Sequence, residues 1–121
     1  MEAKAKILVV DDEAIMGRAM SWELKGFDVT VVSTLSDALL ALCREKWAAV
    51  ICDWDLGRHE TGARVLEVAA KVNAQARRFI VSGMVPDELA PMLISGVAHR
   101  FIAKPWRPHD VREAIAQELA H

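Results

Sequence analysis

Residues 6–13 read KILVVDDE, an apolar run that stops abruptly at three carboxylates. A strand with one wet face alternates polar and apolar residues. An unbroken run instead points to a strand covered on both faces, as in the middle of a parallel sheet. The same grammar returns at 49–57, AVICDWDLG, where a second unbroken run ends in Asp53, Trp54 and Asp55. Both runs therefore read as central strands that deliver acidic groups at their carboxyl ends.

Working outward from these two runs, the remaining elements fall into a regular order. Residues 14–25 have helical spacing, with either Ile15, Ala19 and Trp22 or Met16, Met20 and Leu24 as the apolar stripe, and Gly26 as the stop. Gly17 lowers the propensity of that helix. Residues 28–32 (DVTVV) are β-branched and read as a strand. Thr34, with Asp37 three residues on, resembles a capping box for a helix through Glu45. A third strand is expected at 48–52, a helix at 63–71, a fourth strand at 78–81 and a helix at about 87–95. The fifth strand is expected at 100–103, and Pro108 suits the first turn of a last helix running towards His121. Five strand-then-helix units predict an α/β fold, a single doubly wound parallel sheet with helices on both faces.

Composition agrees with one globular domain over 1–121. Of the 121 residues, 53% are hydrophobic and 26% charged. A net charge of −2 gives no electrostatic reason to expect nucleic acid or an anionic membrane as a partner. No apolar run approaches membrane-spanning length, and MEAKAKILVV lacks the core and cleavage site of a signal peptide. A cytoplasmic location is the expectation. Cys43 and Cys52 read as free thiols of a reduced compartment. His59, His99, His109 and His121 have no metal-ligand spacing and are expected at the surface.

In sheets of this kind ligands sit beyond the carboxyl ends of the strands. Those ends carry Asp11, Asp12 and Glu13 after the first strand, Asp53 after the third, Ser82 after the fourth and Lys104 after the fifth. Converging carboxylates repel one another, and a hard divalent ion with oxygen ligands resolves the conflict. A lysine in the same place would face an anion. A nucleophilic carboxylate beside such an ion, a hydroxyl and an ammonium suits phosphoryl transfer to aspartate.

This set, Asp11-Asp12-Glu13, Asp53, Ser82-Gly83, Phe101 and Lys104-Pro105 in order along the whole chain, resembles the receiver domain of two-component response regulators. The resemblance implies a flavodoxin-like, CheY-like (βα)5 sheet of strand order 2-1-3-4-5. It implies that Asp53 accepts a phosphoryl group from the phosphohistidine of a sensor histidine kinase or histidine phosphotransfer protein. Asp12 and Asp53 would ligate Mg²⁺ directly, Asp11 through water and Asp55 through its backbone carbonyl, with Mn²⁺ able to take the same place. Lys104 would pair with the phosphoryl oxygens, Ser82 would close on them, and Phe101 would be the aromatic switch. The Lys104–Pro105 peptide bond is expected to be cis. Such a domain is not an enzyme in the ordinary sense, although it catalyses its own phosphorylation and dephosphorylation. The implied recipients of the signal are an output domain or effector beyond this chain, or a phosphorylation-dependent homodimer. They would meet the surface of the fourth helix, fifth strand and fifth helix, drawing on Glu88, Met92, His99, Trp106 and Arg112. No direct nucleic-acid or membrane contact is expected of this domain.

Each residue also has a plainer reading. Asp11 and Asp12 could only cap a helix, Ser82 only precede a turn, Phe101 only fill the core and Lys104 only be a solvated loop lysine. Met16 and Met20 more simply pack beneath the first helix. The chain departs from the family in several places. Between Asp55 and Gly62 it has LGRHET in place of the usual proline and methionine, so the loop shape is open. Arg107 stands where a capping Asp or Ser is usual, which predicts a weakly capped last helix. Asp55 and Met84 flank the expected path of attacking water and bear on phosphoryl lifetime. Trp54 is expected to point away from the site by strand alternation, yet it and Trp106 are the natural fluorescent probes. Two other functions compete. One is a haloacid-dehalogenase-like phosphatase using DWD as its nucleophile and acid pair. The other is a receiver fold that works by interaction alone, without phosphorylation. A flavodoxin-like FMN site would need a hydroxyl- and glycine-rich loop where this chain has DDEAIMG.

Overall fold

A computed structural model describes residues 4–107 and 109–120. Within them lie β1 (Lys6–Val10), α1 (Ala14–Glu23), β2 (Asp28–Val32), α2 (Leu35–Arg44) and β3 (Ala49–Asp53). There follow α3 (Gly62–Val72), β4 (Arg77–Ser82), α4 (Leu89–Ser95), β5 (Arg100–Ala103) and α5 (Asp110–Leu119). All strand pairs are parallel and the order is β2-β1-β3-β4-β5. The proposed start of the last helix at Pro108 and the surface reading of His121 concern residues outside those described.

The unbroken apolar runs are central strands. Every residue of β3, and all of β1 after Lys6, is buried. Because successive side chains point to opposite faces, each strand feeds two cores. Leu8, Val10, Val50, Cys52 and Ile80 pack with Ala38 and Leu42 of α2 and Val65, Leu66 and Ala69 of α3. Ile7, Val9, Ile51, Phe79 and Val81 meet Met20 and Leu24 on the other side, with Val111, Ala114 and Ile115 of α5. Cys43 is exposed, whereas Cys52 is buried and its thiol is pushed well up in pKa, by burial first and then by the charges of Asp53 and Asp11.

Local chemistry explains most boundaries. The Thr34 hydroxyl accepts a hydrogen bond from the Asp37 amide at 3.0 Å and caps α2. Helix α1 ends at Glu23, two residues earlier than its periodicity predicts, because the chain turns through Gly26 at φ +104°. Of its two possible stripes, Met20 and Leu24 are buried, while Ile15 is 73% and Trp22 75% exposed. A Cβ on Gly17 would lie 2.7 Å from Val31 Cγ1, so this helix glycine serves its close approach to β2. Helix α4 begins at Leu89, not at Asp87, and its Met92 is buried in the core, contrary to its expected place on the signalling surface. The N-cap of α5 is His109, not Arg107. Its side chain makes no cap, and the Asp110 carboxylate instead accepts from the Arg107 amide at 3.2 Å.

His99 is also corrected from surface to half-buried. Its Nδ1 accepts from the Arg78 amide at 2.9 Å. Arg78 is itself buried, and its guanidinium donates to the carbonyls of Ala74, Ala76, Gly96 and Val97 at 2.8–3.1 Å. The cation thereby ties the α3–β4 connection to the turn between α4 and β5. Burial, followed by the Arg78 and Arg77 charges, holds the His99 imidazole below its usual pKa.

Candidate functional site

The carboxyl ends of β1 and β3, adjacent in the sheet, bring Asp11, Asp12, Glu13 and Asp53 together. One oxygen from each lies within 4.8 Å of the others. Asp11 and Asp53 are buried, Asp12 and Glu13 exposed. Lys104 reaches in from the end of β5, with Nζ 2.9 Å from Asp53 Oδ2 and 3.4 Å from Asp11 Oδ2. Asp11 does two jobs, since its Oδ1 accepts from the Glu13 amide at 2.9 Å and secures the entry to α1.

Both partners of the ion pair are raised in pKa, for different reasons. Burial raises the Asp53 pKa, and Asp11 adds to the rise. The hydrogen bond and charge of Lys104, with a backbone hydrogen bond from Asp55, only partly offset it. For Lys104, burial would lower the pKa, but the Asp53 hydrogen bond and the Asp11 and Asp53 charges outweigh it and the net shift is upward. Burial is the first cause at Asp53, and the neighbouring carboxylate Asp11 raises both groups.

A cleft of about 650 Å³ opens over this cluster, lined among others by Asp53, Trp54, Asp55, Ser82, Met84 and Lys104. Ser82 is at its edge, with Oγ accepting from the Met84 amide at 3.2 Å. Trp54 lines the same cleft as well as packing against the core, so it is not turned wholly away from the site. Phe101 is half-buried against the α4 side of the core. The Lys104–Pro105 bond is cis. A roomier groove of about 790 Å³, beside Trp22, Lys25 and Phe27, is distant from the carboxylates. Volume alone does not mark the chemistry.

The loop after β3 closes on itself. The Leu56 amide donates to the Glu60 carbonyl at 3.1 Å and the Glu60 amide to the Gly57 carbonyl at 2.8 Å. Gly57, Arg58 and His59 all have positive φ, which replaces the turn a proline would have made. The Asp55 carboxylate accepts from the Gly57 amide at 2.9 Å, so its side chain braces the loop and is not part of the acidic cluster. That orientation does not favour a phosphatase acid at Asp55. At the end of this loop a Cβ on Gly62 would lie 2.5 Å from the Asp53 carbonyl oxygen, so α3 starts directly against the strand that carries Asp53.

The residues fit a small hard cation. The donors are carboxylate oxygens, they converge from two strands, and their repulsion is incompletely relieved by Lys104. Sequence reading gave Glu13 no ligand role, although its place after Asp12 was the available signal. It also gave no role beside the acceptor to Asp87, which lines the cleft, or to Glu88, which it placed on the signalling surface. Their proximity follows from the path of the β4–α4 connection, which no local pattern reveals.

Comparison with known proteins agrees with this geometry. The sequence model of the response regulator receiver domain matches residues 7–116. Among solved structures, a CheY-like response regulator receiver domain protein from Methanospirillum hungatei JF-1 is 26% identical, with a TM-score of 0.89 over 98% of this chain and 95% of that one. An uncharacterized protein from Neptuniibacter caesariensis is also 26% identical, with a TM-score of 0.86 over 98% and 90% of the two chains. The signal receiver domain of an HD domain-containing protein from Pseudomonas fluorescens Pf-5 shares the fold at 22% identity, with a TM-score of 0.87 over 100% of this chain and 90% of that one. No curated protein matches significantly. Taken with the acidic cluster and its lysine, the family match over most of the sequence means that this chain belongs to the response regulator receiver domain family.

Proposed function

We propose that the protein is a phosphoacceptor switch in which Asp53 receives the phosphoryl group of a phosphohistidine on a sensor histidine kinase or histidine phosphotransfer protein. The supporting observation is the 2.9 Å contact between Lys104 Nζ and Asp53 Oδ2 inside a convergent set of carboxylates. A carboxylate oxygen of Asp53 attacks phosphorus as the P–N bond breaks, and the electron pair leaves with the imidazole nitrogen. Lys104 is placed to follow the incoming phosphoryl oxygens, exchanging part of its contact with Asp53 and Asp11 for them. Ser82 then closes on the phosphoryl group, and Phe101 moves with it to alter the surface of α4, β5 and α5.

Asp12 and Asp53 would hold Mg²⁺ or Mn²⁺ directly, Asp11 through water and Asp55 by its backbone carbonyl. When bound, the ion neutralises charge on the phosphoryl oxygens. Water later attacks the acyl phosphate, with Asp55 and Met84 beside its path, and these two residues set the lifetime of the signal. The site of action is the cytoplasm, and the recipient is an output domain, an effector or a second receiver. No helix among the described residues is long and apolar enough to cross a membrane.

The test is acetyl phosphate or beryllofluoride with Mg²⁺. The intact protein should gain one phosphate mass from acetyl phosphate, beryllofluoride should change its tryptophan fluorescence, and Asp53→Asn should abolish both responses. No response in the intact protein would overturn the reading in favour of a module that acts by interaction alone. A phosphate that survives Asp53→Asn would move the acceptor elsewhere, and steady turnover of phosphate monoesters would restore the phosphatase reading.

A further inference from the structure

We propose that the cleft selects its phosphoryl donor by charge. It takes a phosphohistidine set among cationic side chains and resists small anionic donors, with Asp87 and Glu88 as specificity-determining residues. This inference rests on the reading of Asp53 as acceptor.

The β4–α4 connection forms one wall of the cleft and carries Asp87 and Glu88, both exposed. Neither has an ion-pair partner among the described residues. Asp55 and Glu13 add further charge from other sides of the same opening. Lys104 is the one cation among the lining residues, and its ammonium is already held by Asp53 and Asp11. A small phosphoryl dianion therefore has to pass the unpaired carboxylates of Asp87 and Glu88 on its way to Lys104 and a bound divalent ion. A histidine flanked by lysine or arginine meets complementary charge instead.

A second observation favours a protein donor. Met84 is 81% and Val85 67% exposed on the same wall. Such side chains offer contact to an apolar residue next to a phosphohistidine and nothing to a small donor. Exposed charges act over a Debye length, about 30 Å at 0.01 M salt and about 3 Å at 1 M, so the discrimination must fade with ionic strength.

The test measures the rate of phosphate mass gain with excess Mg²⁺, for the intact protein and for Asp87→Asn combined with Glu88→Gln. Donors are acetyl phosphate and two phosphohistidine peptides, one flanked by lysines and one by glutamates. With acetyl phosphate the neutralised variant should react about three- to tenfold faster at an ionic strength of about 0.02 M, and the gain should vanish near about 1 M. The intact protein should prefer the lysine-flanked peptide, and that preference should shrink in the variant. Equal acetyl phosphate rates at low salt, a gain that persists at high salt, or indifference to the peptide flanks would each overturn the proposal. A different result, no phosphate on Asp53 from any donor in either protein, would remove the acceptor reading and this inference with it.

Discussion

At the N-terminal ends of the strands, Lys6 pairs with Glu45, Arg77 and Arg100 share Glu118, and four backbone carbonyls surround the Arg78 guanidinium. At the C-terminal ends, Asp11, Asp12, Glu13 and Asp53 crowd around one ammonium. The first end is built so that each of these cations has a partner. The second keeps an excess of one sign, which costs stability and leaves the site ready for a cation and a phosphoryl group. A parallel sheet allows this division. Its helices return to the starts of the strands, where residues such as Glu45 and Glu118 can neutralise charge, while the loops at the other end are left to function.

The sharpest challenge to this contrast is Arg78→Ala at the neutralised end. It should cost about 3 kcal/mol in urea unfolding, because four backbone carbonyls, one buried and three part-buried, lose a charged donor. A loss below about 1 kcal/mol would mean that the cage is incidental. Next, Gly62→Ala should cost about 2 kcal/mol, since its Cβ would press on the Asp53 carbonyl, a backbone atom that cannot swing aside. Phosphorylation by acetyl phosphate should slow in the same variant.

At the crowded end the sign reverses. Without metal, Asp53→Asn should raise stability by about 1 kcal/mol, because burial and Asp11 already disfavour the carboxylate. Added Mg²⁺ should then stabilise the intact protein and leave the variant unchanged. A destabilised metal-free variant would show that the Lys104 pair outweighs the repulsion.

The smallest effect concerns His99. Its folded pKa lies below the ordinary value, so in that window the unfolded state binds more protons. The contribution is complete above about pH 6.5 and is lost as pH falls through the depressed value. Between about pH 7.5 and pH 5.5 the intact protein should lose somewhat more stability than His99→Gln, by less than about 1 kcal/mol. Equal losses would remove His99 from the Arg78 cage.

The central strands and the strand-end carboxylates were legible because each is a local pattern, an apolar run followed by acids. The identity of the α1 stripe was not legible. Ile15 and Trp22 have the same spacing as Met20 and Leu24, and only the direction of the sheet decides between them. Arg78 escaped notice because its partners are backbone carbonyls, which no side-chain pattern announces. The half-burial of His99 follows from the α4–β5 turn, and the burial of Met92 from the face that α4 lays on the core. The three left-handed residues after Leu56 were hidden because two of them, Arg58 and His59, are not glycine, the residue that usually signals that conformation.

The two cysteines give the molecule a built-in clock. Cys43 is open to a thiol reagent at all times, whereas Cys52 is sealed within β3 and its thiol resists ionisation. Under native conditions one label should attach quickly, at a position remote from the carboxylates. The second should attach only as fast as β3 opens, so its rate reports how often the strand that ends in Asp53 comes apart.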